Sequence, residues 1–159
     1  MKKMYVETTI PSFATSRPSR DTITAGMQAA TLAFWESERL KYELYISQFV
    51  INECLLGDVQ AAARRIEFLR GLPVIPVTDE MTTLSDAYQK LLGIPDRAKI
   101  DCYHLAVSVL ANMDYMLTWN CTHLGIHTFV KIQEYNNQWN LSVPLLVTPE
   151  ALLGLDGRE

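Results

Sequence analysis

The chain has no CxxC pair and only three cysteines, Cys54, Cys102 and Cys121. That odd, dispersed set excludes a disulfide-stapled scaffold and leaves free thiols. Cys54 and Cys102 fall in apolar helical patterns and read as core residues. The three histidines, His104, His123 and His127, lack ligand-type spacing with the cysteines, so no structural zinc site is expected. No apolar run approaches the roughly 20 residues that span a bilayer. The basic start, Met1-Lys2-Lys3, is followed too soon by Glu7, Thr8 and Thr9 for a secretory signal. A cytoplasmic protein without a membrane segment is expected. No low-complexity tract or Pro/Gly/Ser linker divides the 159 residues, enough for one domain with its core and few for two. Positive charge is not in surplus either: 14 Lys and Arg face 18 Asp and Glu, a net charge of −4. This excludes coating of duplex DNA by bulk electrostatics, but not an enzyme that grips a short nucleic-acid segment through local basic groups.

What is present is a fivefold alternation of β-prone and helical segments. Strands are expected at residues 4–7, 44–46, 74–77, 115–118 and 145–147, the third at a sheet edge because of Pro76. Asp21 caps an expected helix over 22–41, with Ile23, Met27, Ala30, Leu32, Phe34 and Trp35 on one broad side. Ser47 and Asp58 begin the next two helices, which Gly57 and Gly71 stop. Thr78 caps a helix ending near Gly93, Asp96 opens another, and two more follow around 126–137 and 149–153. Residues 8–20, with Pro11, Pro18 and two Ser-Arg pairs, read as an exposed loop. Strands alternating with helices call for an α/β fold: a three-layer αβα sandwich around a parallel, about five-stranded central sheet. Ligands in such folds sit at the carboxyl ends of the strands.

Four oxygen-bearing side chains fall at compatible places in this scheme. Glu7 ends strand 1, within Met4-Tyr5-Val6-Glu7-Thr8-Thr9-Ile10. Glu53 lies among apolar neighbours in the helix after strand 2, and Asp101 stands early in the largely apolar helix Lys99-Ile100-Asp101-Cys102-Tyr103-His104. Asn120 follows strand 4 in Leu117-Thr118-Trp119-Asn120-Cys121-Thr122-His123-Leu124. Carboxylates gathered in one pocket need a counter-charge. A hard divalent cation supplies it, and beside a phosphodiester such an ion activates water and neutralises the leaving oxygen.

At these residues the chain resembles the PIN-domain (PilT N-terminus) family, over nearly its whole length. The order is an acid plus Thr after strand 1, Glu in the helix after strand 2, Asp at the head of an apolar helix and an acid or amide after strand 4. The Trp119-Asn120 segment is similar to a variant in one branch of that family. The resemblance implies Mg²⁺- or Mn²⁺-dependent ribonuclease activity on RNA, and for small bacterial members a VapC-like toxin with an antitoxin partner and a homodimeric state. Carried over residue by residue, Glu7, Glu53, Asp101 and Asn120 match the catalytic positions, the three acids as metal ligands. Thr8 and Thr118 match hydroxyl positions lining the pocket. Two positions depart from the family's pattern. Glu7 replaces the usual Asp, moving the carboxylate by about 1.5 Å, and Asn120 keeps an oxygen but removes a charge. Weaker metal binding than at a four-carboxylate site is the expectation, with the count of one or two ions left open by the sequence.

Each residue also has a plainer reading: a surface acid after a strand for Glu7, an exposed or ion-paired helix acid for Glu53, a first-turn acid for Asp101, a turn residue for Asn120. His104, three residues after Asp101, reads as a packed core histidine. His123 and His127 read as a solvated helix start. Trp119 could stack on a base or pack. Arg17 and Arg20, with Arg97 and Lys99, lie near the proposed site and could meet RNA phosphates. The competing readings are a catalytically weakened domain that binds RNA or protein, and a receiver-type signalling domain. The latter needs a lysine ending a late strand, and Lys131 falls in a helix.

Overall fold

Three consecutive residues, Met4, Tyr5 and Val6, are fully buried. Side chains alternate across a strand, so both faces of the sheet are covered at this point. The computed structural model describes residues 1–120 and 126–154. Cys121 and His123 lie outside the described residues, as does the side chain of His127.

These three residues sit in β1 (Lys2–Val6), the central strand. It pairs in parallel with β2 (Tyr42–Ser47) on one side and β4 (Tyr115–Leu117) on the other. β3 (Val74–Ile75) extends the sheet beyond β2, and β5 (Leu145–Val147) extends it beyond β4, both in parallel. The order β3-β2-β1-β4-β5 puts β3 at an edge, where Pro76 just after it costs no ladder bond. The chain builds outward through β2 and β3, then returns to lay β4 against the other side of β1. The carboxyl ends of β1 and β4 therefore form a topological switch point, where connections leave in opposite directions and open a crevice.

The helices are α1 (Thr9–Thr15), α2 (Thr22–Ala33), α3 (Gln48–Cys54), α4 (Val59–Phe68), α5 (Asp79–Leu92), α6 (Lys99–Leu110), α7 (Ile126–Gln138) and α8 (Pro149–Leu153). α1 packs with α2 and α4, and α2 with α8; in the other group α5 packs with α6 and α7. The result is a three-layer αβα sandwich. α3 touches both α4 and α6, and so brings its side chains to the crevice between the groups. The caps follow the expected chemistry: Asp21, Asp58 and Thr78 accept from the amides of Thr24, Ala61 and Met81. Gly93, with φ 63°, ends α5 in the left-handed conformation that glycine adopts without a Cβ penalty.

Two stretches differ from expectation. Residues 9–15 are a helix, not a loop. Pro11 is its third residue, where the missing N–H would have had no intrahelical partner, and Ile10 and Pro11 are buried. The segment 22–41 is not one α-helix: after Ala33 it widens into a π turn (Phe34–Glu38) and then tightens into a 3₁₀ turn (Arg39–Lys41). Its buried stripe includes Thr31 and Phe34, whereas Ile23 and Leu32 are exposed. Thr31 tolerates burial because its hydroxyl donates to Met27 O and accepts from the Trp119 indole N–H.

Candidate active site

Glu7 follows β1, and its backbone N–H still reaches across the ladder to Leu117 O at 3.1 Å. Its side chain is almost fully buried, with the residue 4% exposed. Burial of a carboxylate is compensated by donors. Oε2 accepts from Thr118 Oγ1 at 2.7 Å, Thr9 Oγ1 at 2.5 Å and the Thr9 amide at 3.1 Å. That amide is one of the first-turn donors of α1 that have no partner within the helix.

Glu53, on α3, is half-buried. Its Oε1 accepts from Thr8 Oγ1 and from His104 Nε2, both at 2.5 Å. Burial pushes its carboxyl pKa up. The His104 hydrogen bond, the His104 charge and the Thr8 hydroxyl together outweigh burial and hold it below the usual value. His104 is fully buried on α6, and its Nδ1 lies 2.6 Å from the Tyr5 hydroxyl, which lies 2.7 Å from Ser47 Oγ. Burial raises the Tyr5 phenol well above its ordinary pKa. The Ser47 bond opposes this, and the charges of Glu7 and Glu53 add to it. Ser47 occupies the N-cap position of α3 but makes no side-chain cap bond. A cap of that kind typically stabilises a helix by about 1 kcal/mol, and here the hydroxyl turns to Tyr5 instead.

Asp101 stands in the first turn of α6. Its Oδ1 accepts from Asn120 Nδ2 at 2.8 Å. The Asn120 amide N–H donates to Thr118 Oγ1 at 2.9 Å, the same hydroxyl that donates to Glu7. The Trp119 amide N–H donates to Thr9 Oγ1 at 2.9 Å, and its indole N–H to Thr31 at 2.8 Å. The segment after β4 is thus tied to both Glu7 and α2, and Trp119 is held by packing and hydrogen bonding.

These side chains border a cavity of about 520 Å³ at the switch point. Glu7, Thr8, Thr9, Glu53, Asp101 and Asn120 line it, joined by Ser12 and Phe13 of α1 and by Arg97. Thr118 is fully buried and supports Glu7 from behind. Arg17 and Arg20 are exposed on the segment between α1 and α2 and do not line the cavity. Lys99 is paired with Asp86 at 2.9 Å. Among the described residues, Arg97 is therefore the cationic side chain lining this cavity, a role that reading the linear order could not separate from Arg17 or Arg20. A second cavity of about 530 Å³ is lined by Leu84, Ala87, Leu110 and Tyr135, with Asp79 and Glu80 at its rim. Size does not distinguish the two; the converging carboxylates do.

Ligand-type atoms of Glu7, Glu53 and His104 all lie within 4.8 Å of one another. Both ring nitrogens of His104 already have partners, which leaves two carboxylates as the converging donors. Oxygen donors without a thiolate fit a hard divalent cation such as Mg²⁺ or Mn²⁺. Asp101 is not part of this close group and faces the same cavity from α6.

No protein-family model matches the chain, and no curated protein matches it. Among solved structures it is similar to VapBC2 from Rickettsia felis, in a crystal structure bound to a DNA fragment from their promoter. The likeness covers 91% of this chain and 97% of that one, with a TM-score of 0.58 and 14% sequence identity. At that identity the likeness establishes the fold. No helix among the described residues is long and apolar enough to cross a membrane.

Proposed function

We propose that this chain is a metal-dependent ribonuclease of the PIN type that cleaves RNA phosphodiester bonds as the toxin of a toxin–antitoxin pair. The observation that carries the reading is convergence. Glu7, Glu53, Asp101 and Asn120, from four separate elements, line one cavity at the switch point of the sheet. The fold neighbour, a VapBC2 complex, supports the antitoxin partner and the toxin role. The homodimer rests on the family resemblance alone.

In this reading Glu7 and Glu53 hold the cation, Mg²⁺ or Mn²⁺. The bound ion supplies Lewis acidity toward water and the phosphodiester. Thr9 and Thr118 fix the Glu7 carboxylate, and Thr8 and His104 fix that of Glu53. Asp101, oriented by Asn120, faces both carboxylates across the same cavity and would take the proton of the attacking water. Arg97 meets a substrate phosphate. Arg17 and Arg20 contact RNA only beyond the cavity.

The test is RNA cleavage with added Mn²⁺ or Mg²⁺, comparing wild type with Asp101→Asn. A loss on the order of 100-fold is expected for a group that handles protons in the transition state; equal rates remove Asp101 from the mechanism. One observation favours a second reading, a weakened domain that only binds RNA or protein: Asn120 turns its amide nitrogen to Asp101, where the family often has an acid. RNA binding that ignores divalent ions, with no cleavage, supports that alternative.

A further inference from the structure

Resting on the nuclease reading, we propose that His104 is a positioning residue for Glu53 and not a metal ligand. The geometry alone would permit a ligand, since its ring lies within 4.8 Å of both carboxylates. Its hydrogen bonds decide otherwise. Nε2 is 2.5 Å from Glu53 Oε1, and Nδ1 is 2.6 Å from the Tyr5 hydroxyl. An ionised carboxylate only accepts, so Nε2 carries the hydrogen whatever the charge of the ring. Binding a cation through Nε2 would displace that hydrogen and strip Glu53 of a donor. Binding it through Nδ1 would break the Tyr5 contact, in the fully buried interior.

The arrangement is a chain, Ser47 to Tyr5 to His104 to Glu53, that runs from β2 through β1 and α6 to α3. Every link but the last is buried, and only Glu53 emerges at the cavity. Ser47 forgoes its local cap to complete it. Three elements thus set the position of one carboxylate oxygen, which the Thr8 hydroxyl also holds from the cavity side. Outer partners of this kind orient the groups that hold a metal.

The test separates the two ring nitrogens. A glutamine amide nitrogen reaches the place of Nε2, whereas an asparagine amide reaches only that of Nδ1. Calorimetric titration with Mn²⁺ should give His104→Gln a Kd within about threefold of wild type, and His104→Asn a Kd raised on the order of 10- to 100-fold. Both substitutions remove the ring, so similar melting temperatures are expected and stability does not explain the difference. With RNA, kcat should fall in the Asn variant while KM stays unchanged. Equal Kd values for the two variants overturn the positioning role. Loss of Mn²⁺ in both, with fold retained, points to a ligand instead and also overturns it. Wild-type protein that takes up no Mn²⁺ overturns the nuclease reading itself, and this inference with it. Should neither variant fold, Tyr5→Phe carries the test: it frees the far side of the ring, and a Kd raised about 10-fold is expected, whereas an unchanged Kd refutes the chain.

Discussion

Thr118 Oγ1 donates a 2.7 Å hydrogen bond to Glu7 Oε2, joining the carboxyl ends of β4 and β1. The two residues are 111 positions apart in sequence, and the bond ties together the two strand ends that border the crevice at the switch point. Thr118→Val keeps the shape and removes the donor, leaving a buried carboxylate short of one charge-assisted bond. Destabilisation of about 1.5–3 kcal/mol is expected, together with weaker Mn²⁺ binding, whereas Thr118→Ser retains most of both. Urea unfolding of the two variants checks this; a Val variant as stable as wild type, with the loss confined to Ser, would show that the methyl, not the hydroxyl, matters.

The Glu53 carboxyl sits below its ordinary pKa because the His104 bond and charge and the Thr8 hydroxyl outweigh burial. A carboxyl lowered in the folded state contributes stability that is fully present above its unfolded pKa of about 4.3 and is lost as pH falls through the folded value. Between pH 6 and pH 3, wild type should therefore lose stability more steeply than Glu53→Gln, with the divergence beginning near pH 4.3. Asp21 and Asp114, also lowered by hydrogen bonds, are common to both proteins and cancel. Parallel stability curves would show that Glu53 gains nothing from His104.

Much of this architecture is legible in the linear order. Asp21, Asp58 and Thr78 cap helices as short polar side chains before an apolar pattern should, and Pro76 marks the sheet edge. Other features are not local. Pro11 reads as a breaker until its place in the first turn of α1 is known. Ser47 stands where a cap belongs, yet its partner, Tyr5, lies 42 residues away. His104 is buried, as a core histidine would be, but its neighbours Tyr5 and Glu53 are set by the register of β1 and the approach of α3. Spacing from Asp101 places it on a related helix face and reveals neither partner. Arg97 could be told from Arg17 and Arg20 only once α1 and the turn before α6 were in place.

Arg97 is exposed and lines the cavity, so its removal should affect RNA more than folding. Arg97→Ala should raise KM for RNA and lessen its salt dependence by a log–log slope of about 0.7, the equivalent of one phosphate contact on a single strand. Stability should change by no more than about 0.5 kcal/mol. Cleavage measured across a salt series checks both; an unchanged slope would remove Arg97 from substrate binding.

Burial pushes the thiols of Cys54 and Cys102 up to about 11. At pH 8 they are almost wholly protonated and shielded, hence poor nucleophiles. In a Cys121→Ser background, the native protein should react with a disulfide reagent only as fast as it opens, and release two thiols per chain in denaturant. Rapid labelling of the folded protein would contradict the packing described for α3 and α6.

The account turns on whether Glu7 and Glu53 hold one hard cation between them. Calorimetric titration of wild type with Mn²⁺ beside Glu7→Gln and Glu53→Gln tests this most directly. The expected result is one ion per chain in wild type and binding at least about 10-fold weaker in each variant, since removing even an outer partner of a ligand typically costs that much. Three superimposable isotherms, or no binding by wild type at millimolar Mn²⁺, would contradict it.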